Sequence, residues 1–227
     1  MNKNNIFIIL PAYNEATRIG KVIKKIKKEG FKNIIVVDDG STDQTSLIAK
    51  KLDAYVISHM INLGPGAATQ TGFTAALNKN AAIVVTIDAD GQHNPKDIHK
   101  LVQPILDQEA DIVFGSRIKK KGNQIPFIRK TFNFIANIIT LLLSSLWLTD
   151  SQTGFKALNK KALSNIHLTT NGFEFCTELI TQLRNREFEF QEVPIDVTYT
   201  QDSLNKGQNF ASGINIVFKL FIKALIR

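Results

Sequence analysis

Apolar and polar residues alternate along the first half of the chain in a pattern that predicts strands followed by helices. Short apolar runs bounded by polar residues predict five buried strands, at residues 6–10, 34–37, 54–58, 83–87 and 112–115. Between them, apolar residues recur at helical spacing and predict helices at about residues 15–29, 41–52, 64–78 and 95–106. Wholly apolar strands that alternate with helices are typical of an α/β fold with a parallel sheet covered on both faces.

The second half contains a stretch without charge between Lys130 and Asp150, which is just long enough to span a bilayer. Four polar residues interrupt it at spacings of four, three and four, and so form one stripe along a helix: Asn133, Asn137, Thr140 and Ser144. A span that faces lipid would not need such a stripe. The pattern therefore predicts an amphipathic or half-buried helix over 131–148.

The last residues, 210–227, show a clearer amphipathic pattern. Polar and basic residues fall at every fourth position on one helix face, namely Asn215, Lys219, Lys223 and Arg227. Another face carries Phe210, Ile214, Val217, Phe221 and Leu225. Such a helix suits an anionic membrane surface, and a helix packed on the domain fits the pattern equally well. We expect this segment and 131–148 to bring the protein to a membrane surface without crossing it.

Composition places the chain among folded globular proteins. Its 227 residues are 44% hydrophobic and 21% charged, which suits one domain with a sizeable apolar core. The single cysteine, Cys176, cannot form an internal disulfide, and the beginning of the sequence lacks the apolar segment of a signal peptide. These features predict a reducing, cytosolic setting.

The net charge of +8 is uneven, because residues 1–110 contribute +2 and residues 111–227 contribute +6. An excess of positive charge favours anionic partners such as nucleotide phosphates, lipid head groups or nucleic acid. A solvated basic surface explains the charge equally well.

Candidate chemistry lies in the loops that follow the predicted strands, because ligands of parallel α/β sheets bind beyond the carboxyl ends of the strands. In the loop after the fourth strand, Asp88 and Asp90 are separated by one residue. Close carboxylates repel each other unless a cation lies between them, and Mg²⁺ is usually bound by one or two carboxylates together with substrate phosphates. The pair therefore predicts a divalent-metal site, with an ordinary acidic turn before Pro95 as the alternative.

Eight short segments resemble the family 2 glycosyltransferases of the GT-A fold, in the branch of polyprenyl-phosphate sugar synthases. In chain order they are PAYNEA (11–16), VVDDGSTDQT (36–45), NLGPGAATQTGF (62–73), DADGQH (88–93), GSR (115–117), DSQTGFKAL (150–158), GFEFCTEL (172–179) and VPI (193–195). The ending YTQDSLNKGQN (199–209) resembles compact bacterial members without a transmembrane domain. The resemblance implies a Rossmann-like, mostly parallel sheet flanked by helices, with an amphipathic C-terminal helix.

The resemblance also implies which residues bind the donor and a metal ion. It assigns the nucleotide sugar to Pro11, Tyr13, Glu15, Asp38, Asp39, Gly64, Asp88, Gln152, Glu174 and Lys206. In this family one of the pair Asp38 and Asp39 typically recognises the base. Asp88 and Asp90 match the DxD motif that binds Mg²⁺ or Mn²⁺, and Gln92 stands where relatives supply another metal contact.

The reaction implied is an inverting transfer from a nucleotide-diphosphate sugar, with Arg117 and Asp150 as catalytic residues. Arg117 suits two-pronged contact with phosphate, and with the metal and Lys206 it would stabilise the leaving group. The acceptor stays open between a polyprenyl phosphate and a glycan hydroxyl of cell-envelope polysaccharide synthesis. A hydroxyl needs a general base, for which Asp150 is the first candidate. A phosphate is already anionic, so Asp150 would then orient other groups.

The expected partners are a nucleotide sugar, a lipid-phosphate or lipid-linked glycan acceptor and an anionic membrane surface on the cytoplasmic side, with no nucleic acid. Two departures from the family argue against carrying over a particular donor or acceptor: proline stands at position 65, and Asp202 replaces the arginine of lipid-phosphate mannose enzymes. The expected parts of the domain are 1–117 for the donor, 118–209 for the acceptor and 210–227 as the terminal helix.

Other classes of protein fit less well. A sugar-nucleotide pyrophosphorylase would carry a glycine-rich basic loop after the first strand, which PAYNEA is not. A dinucleotide-dependent oxidoreductase would need a third glycine where Thr69 stands. A nucleotide- or membrane-binding module with a degenerate catalytic site stays open.

Overall fold

The four strands nearest the start of the chain lie side by side and parallel, in the order β3-β2-β1-β4. They are β1 (Ile6–Ala12), β2 (Asn33–Asp38), β3 (Tyr55–Ser58) and β4 (Ile83–Thr86). Ala12 pairs with Asp38 and Ile9 with Thr86, so the carboxyl ends of these strands meet at one edge of the sheet. The computed structural model describes residues 5–184 and 188–199.

Three further strands complete a seven-stranded sheet in the order β6-β5-β7 beyond β4. They are β5 (Ile112–Ser116), β6 (Lys156–Asn159) and β7 (Phe190–Pro194). β6 runs antiparallel to both β4 and β5, whereas β7 is parallel to β5. The mostly parallel sheet expected from the sequence is confirmed. The pattern did not predict β6 and β7, because both are short and polar residues interrupt their apolar positions.

Seven α-helices lie within the described residues. They are α1 (Ile19–Lys28), α2 (Thr45–Lys51), α3 (Pro65–Asn78), α4 (Ile98–Leu106), α5 (Phe127–Ser144), α6 (Lys160–Asn165) and α7 (Phe175–Thr181). The first two begin four residues later than predicted. In α2 the reason is local, because the Asp43 carboxylate accepts the Thr45 amide at 2.9 Å and so keeps the preceding residues in a loop.

The sheet is covered on both faces by separate apolar clusters. Ile8 and Leu10 of β1 belong to the cluster that includes α1 and α4, and Ile9 belongs to the cluster that includes α3 and α7. Because neighbouring side chains of a strand point to opposite faces, a sheet covered in this way requires apolar residues at every position.

Helix α5 is the half-buried helix predicted from the polar stripe, although it begins and ends four residues earlier than 131–148. Its buried positions are Asn133, Ala136, Asn137, Thr140 and Ser144. Its apolar side faces outward, with Phe127, Phe134 and Leu142 exposed by 83, 56 and 75%. By length and composition alone, α5 is the one helix within residues 5–184 and 188–199 that could cross a membrane. The predicted helix over 210–227 lies outside the described residues.

Candidate active site

The loops after β1 and β2 meet at the carboxyl edge of the sheet, where the sequence placed the donor. The Asn14 amide donates to Ser41 Oγ at 2.9 Å, and the Glu15 amide donates to Thr45 Oγ1 at 2.8 Å. These bonds fix the loop that carries Pro11, Tyr13 and Glu15. Tyr13 is exposed, whereas Pro11 and Glu15 are half-buried. Their donor-binding roles stay predictions.

Asp39 joins three segments of this edge. Its carboxylate accepts the amides of Leu63 at 3.0 Å and Gly64 at 2.8 Å, and lies 2.7 Å from His59 Nδ1. Gly64 has a φ of 107°, which favours glycine, and a Cβ there would overlap the backbone of residue 171. Asp39 therefore shapes the loop before α3. The adjacent Asp38 accepts the Ser41 amide at 3.1 Å, and base recognition by either carboxylate stays a prediction.

The two carboxylates of the DxD motif have different surroundings. Desolvation would raise the pKa of Asp88, but a hydrogen bond from His93 Nε2 at 3.3 Å and the charges of His93, Lys156 and Arg117 bring it below its usual value. Desolvation and the charge of Asp88 raise the pKa of Asp90. The pair therefore carries repulsion that a bound cation would relieve.

The residues present fit a divalent ion that is shared with a substrate. Within the described residues no three His, Cys, Asp or Glu side chains form a cluster that could hold a metal by themselves. Asp88 and Asp90 supply the two carboxylates that Mg²⁺ or Mn²⁺ commonly takes when substrate phosphates complete its coordination. The Gln92 amide nitrogen donates to Asp90 Oδ2, so a direct metal contact from Gln92 stays a prediction.

The segment after Asp150 packs against this motif. A Cβ at Gly154 would overlap the Asp88 carboxylate, so only glycine allows this approach without a shift. Thr86 Oγ1 at the end of β4 donates to the Gly154 carbonyl at 2.7 Å. The loop expected to face the sugar and the loop expected to bind the metal are therefore in direct contact.

Arg117 and Asp150 form a buried, two-pronged ion pair. Arg117 Nε donates to Asp150 Oδ2 and Nη2 to Oδ1, both at 2.7 Å, and the Arg117 amide donates to Oδ2 at 3.0 Å. The Asp150 side chain is fully buried, and that of Arg117 is 19% exposed. Burial opposes the guanidinium charge, but Asp150 and Tyr199 outweigh it and raise the pKa of Arg117. The structure brings the two predicted catalytic residues together.

Two side chains hold the peptide groups around Asp150. Asn137 of α5 donates to the Thr149 carbonyl at 2.8 Å and accepts the Ser151 amide at 2.9 Å. Glu192 of β7 accepts the amides of Thr149 at 2.9 Å and Asp150 at 3.2 Å. The three consecutive amides thus bond to side chains, so α5 and β7 determine the position of the Asp150 carboxylate.

A buried lysine lies behind the site. Lys156 of β6 is 1% exposed, and its Nζ donates to the Thr153 carbonyl and lies 3.3 Å from Cys176 Sγ. Burial raises the pKa of the Cys176 thiol although the Lys156 charge opposes this shift. The Lys156 charge lowers the pKa of Asp88. Lys156 therefore supports both the Gly154 turn and the anionic state of Asp88.

A cavity of about 500 Å³ opens beside Arg117, between the turn after β5 and helix α5. Its cationic lining residues are Arg117, Lys120 and Lys130, and its apolar lining includes Ile118, Ile125, Phe134 and Trp147. Asn133 also lines it, and its buried Oδ1 has no hydrogen-bond partner among the described residues. The cavity therefore combines positive charge near Arg117 with apolar side chains that come from α5 and from the segments before and after it.

The remaining predicted site residues are Gln152, Glu174 and Lys206, and the contacts described for them do not bear directly on donor binding. The Gln152 amide nitrogen donates to the hydroxyls of Ser151 at 3.1 Å and Thr177 at 3.2 Å, which directs it toward α7. Glu174 is half-buried, and its carboxylate packs against Gly172. Lys206 lies outside the described residues. The structure thus leaves the donor-binding roles of Gln152 and Glu174 as predictions.

Sequence reasoning missed four residues that organise the site: His93, Asn137, Lys156 and Glu192. His93 and Lys156 stood inside segments quoted for the resemblance, but an isolated histidine or lysine carries no pattern. Asn137 was visible in the polar stripe, although periodicity could not tell what the stripe contacts. Glu192 gave no signal, because its partners lie 42 and 43 residues away in the sequence.

Comparison with known proteins identifies relatives over nearly the whole chain. The model of the family "Glycosyl transferase family 2" matches residues 7–167. A UDP-N-acetylglucosamine–dolichyl-phosphate N-acetylglucosaminyltransferase of Methanococcus voltae is 37% identical over 96% of this chain and 95% of that protein. The polyprenol monophosphomannose synthase of Mycolicibacterium smegmatis is 30% identical over 94% of this chain and 83% of that protein.

A solved structure shows the same fold. The glucosyl-3-phosphoglycerate synthase of Mycobacterium tuberculosis, in complex with Mn²⁺, UDP and phosphoglyceric acid, superposes with a TM-score of 0.72 at 21% identity. The match covers 97% of this chain and 78% of that one. The sheet order and the flanking helices are therefore those of a GT-A fold.

Proposed function

The chain belongs to glycosyl transferase family 2, and from this premise we propose that it transfers a sugar from a nucleotide-diphosphate sugar to the phosphate of a polyprenyl-type lipid. Membership makes the chain a glycosyltransferase and removes the pyrophosphorylase and the oxidoreductase as alternatives. The names of the two sequence relatives specify a dolichyl-phosphate sugar transferase and a polyprenol monophosphomannose synthase. That this chain uses a donor and an acceptor of the same kinds is part of the proposal.

The observation that carries the proposal is the ion pair between Arg117 and Asp150. Both Asp150 oxygens accept hydrogen bonds from Arg117, and the carboxylate is fully buried. A general base must reach the proton of the acceptor hydroxyl at hydrogen-bond distance, and Asp150 offers no accessible oxygen for this. An acceptor phosphate needs no base because it is already anionic. The geometry therefore favours the phosphate among the two acceptors considered from the sequence.

The cavity beside Arg117 suits the acceptor's two chemical parts. Arg117, Lys120 and Lys130 supply positive charge for a phosphate, and Phe134 and Trp147 supply an apolar wall for the first isoprenoid units. Lys120 lies 3.3 Å from Asp196, whereas the side-chain bonds from Arg117 to Asp150 use Nε and Nη2 and not Nη1. Arg117 and Lys130 are therefore the stronger candidates for the phosphate. Asn123, Asn133 and Thr149 also line the cavity, so hydrogen-bonding groups are present as well. The preference for a phosphate acceptor therefore rests on the buried Asp150 and on the cationic lining residues.

In the proposed mechanism, the donor lies over the carboxyl edge of β1, β2 and β4 with its diphosphate toward Asp88 and Asp90. A divalent ion held there would neutralise the charge that develops on the leaving diphosphate. Arg117 directs the acceptor phosphate toward the anomeric carbon, and Asp150 fixes the guanidinium orientation. Attack of the acceptor phosphate on the face of the anomeric carbon opposite the leaving group inverts the configuration at that carbon. The Mn²⁺ and UDP in the solved structure of the same fold support a test with Mn²⁺.

The acceptor also determines where the protein must work. A lipid phosphate with a long polyprenyl chain resides in a bilayer, so we propose that the enzyme acts at an anionic membrane surface, on its cytoplasmic side. The excess of positive charge in the second half of the chain supports this. Attachment without a transmembrane domain is part of the same proposal.

The direct test is transfer of radiolabelled sugar into the organic phase. Purified protein is incubated in detergent with a panel of nucleotide sugars, polyprenyl phosphate, and Mg²⁺, Mn²⁺ or EDTA. We expect lipid-linked label that requires one nucleotide sugar, the lipid phosphate and the divalent ion. Hydrolysis or binding of donor without transfer to any lipid phosphate would refute the acceptor, and no metal-dependent use of any donor would refute the reaction.

A further inference from the structure

Helix α5 has an orientation that is unusual for a helix on the surface of a globular protein. Such helices normally bury their apolar side and expose their polar side. In α5 the buried side consists of Asn133, Ala136, Asn137, Thr140 and Ser144. The exposed side consists of Phe127, Ile128, Phe134, Ile135, Ile138 and Leu142, here named the α5 face. At 3.6 residues per turn and 1.5 Å per residue, these six positions cover an arc of roughly 120° along about 22 Å of helix.

The polar side of α5 is committed to the protein. Asn137 bonds to the Thr149 carbonyl and the Ser151 amide, and Thr140 Oγ1 lies 3.0 Å from Thr177 Oγ1. A transmembrane orientation would have to break these bonds and place four polar side chains in hydrocarbon. The helix is therefore held flat against the domain with its apolar side turned outward.

The surroundings of the α5 face indicate what covers it. Residues 118–147 contain five basic residues and no acidic one. Lys119 pairs with Glu192 of β7, and Lys120 pairs with Asp196, which follows β7. These two carboxylates balance only two of the five basic residues, so the net charge of the region stays positive. Lys121 and Lys130 are exposed. Apolar side chains bordered by basic residues complement a bilayer with anionic head groups.

The α5 face is also continuous with the acceptor cavity. Phe134 belongs to both, and Trp147, just beyond the end of α5, lines the cavity and is half exposed. We propose that the α5 face docks on an anionic lipid bilayer and lies in its interfacial plane, so that the cavity beside Arg117 opens toward the lipid. This inference rests on the proposed function, because it identifies the surface through which a lipid acceptor would reach the site.

The test compares two leucine-to-glutamate substitutions on exposed helix positions. Leu142→Glu alters the α5 face, and Leu47→Glu on α2 is the matched control, since Leu47 is also exposed and lies outside the site. The probe is flotation of the protein with two kinds of vesicle. One kind contains phosphatidylcholine alone, and the other contains roughly 30% phosphatidylglycerol to supply an anionic surface. We expect Leu142→Glu to raise the lipid concentration for half-maximal binding at least about tenfold. Leu47→Glu should bind like the unmodified protein, and high salt should weaken binding.

Three results would overturn the inference. The unmodified protein could fail to bind anionic vesicles, or both variants could bind them equally. Alternatively, Leu142→Glu could convert a dimer into a monomer by sedimentation without changing vesicle binding, which would assign the α5 face to a second copy of the chain. Transfer to a short-chain polyprenyl phosphate in detergent separates the two proposals. Leu142→Glu should retain that transfer, because detergent replaces the bilayer. If the unmodified protein floats with vesicles but transfers no sugar to the lipid phosphate, only the proposed acceptor is refuted.

Discussion

A double-mutant cycle on Arg117 and Asp150 tests whether Asp150 orients the arginine or acts as a base. Asp150→Asn replaces an acceptor-only carboxylate with an amide whose nitrogen cannot accept the Arg117 hydrogen bonds. Arg117→Met removes the guanidinium and leaves Asp150 buried without its partner. Breaking a buried ion pair from one side costs about 3–5 kcal/mol of unfolding free energy. Because Arg117 retains 19% exposure and Asp150 none, we expect about 3 kcal/mol for Asp150→Asn and the upper part of that range for Arg117→Met.

The double variant distinguishes the roles. Once both charges are removed, no buried charge is left without a partner, so its stability loss should be smaller than the sum of the single losses by about 3 kcal/mol. In the transfer assay, loss of a charged hydrogen bond to the acceptor phosphate should lower kcat/KM for the acceptor by about 10- to 100-fold. We expect each single variant and the double variant to show a similar loss.

Chemical denaturation measures the stability cycle, and kinetics with the lipid phosphate varied at saturating donor measures the catalytic one. Donor affinity should change less than kcat/KM for the acceptor in all three variants, because Arg117 acts on Asp88 through its charge and its side-chain hydrogen bonds go to Asp150. Additive losses in kcat/KM would refute the reasoning, as would an Asp150→Asn variant far slower than Arg117→Met. Either result would assign Asp150 an independent chemical step.

Further predictions concern the metal site, the clamp on Asp150 and the acid range. Asp90→Asn should abolish metal-dependent donor binding in calorimetry while the circular dichroism spectrum is unchanged. Gly154→Ala should weaken the same binding by displacing Asp88. Asn137→Ala should cost about 2 kcal/mol in denaturation and reduce transfer, because it leaves the Ser151 amide unpaired and the Thr149 carbonyl with only the 3.4 Å bond from Asn133. Burial alone would raise the pKa of Glu178, but hydrogen bonds from two threonines bring it below its usual value. The stability that Glu178 contributes should therefore be lost as the pH falls below about 4.5, and Glu178→Gln should lose less stability over that range.

Much of the donor half could be predicted because its signals are local. The strands are continuous apolar runs, and the rule that ligands bind at the carboxyl ends of parallel strands selects the loops with Asp38 and Asp88. The resemblance assigned catalytic roles to Arg117 and Asp150 but did not predict that the two side chains pair, since 33 residues separate them in the sequence. Residues that act by holding other residues, such as Asn137 and Glu192, need the tertiary structure to be recognised.

Helix α5 shows a limit of periodicity. The spacing of Asn133, Asn137, Thr140 and Ser144 predicts correctly that they share one face, but the same spacing fits a polar face in water. They are buried because α5 packs on the polar loop of residues 149–151, whose peptide groups need hydrogen-bond partners. The burial of β6 between β4 and β5 depends similarly on pairing across the chain.

The central claim is that the acceptor is an anionic lipid phosphate for which the site needs no general base. The most direct measurement compares sugar transfer to a polyprenyl phosphate with transfer to the free polyprenol of the same chain length, under saturating donor and divalent ion. We predict rapid transfer to the phosphate and none above background to the alcohol, which lacks the charge that Arg117 and Lys130 would bind. Equal or faster transfer to the alcohol would contradict the account, because it would require a base that the buried Asp150 does not provide.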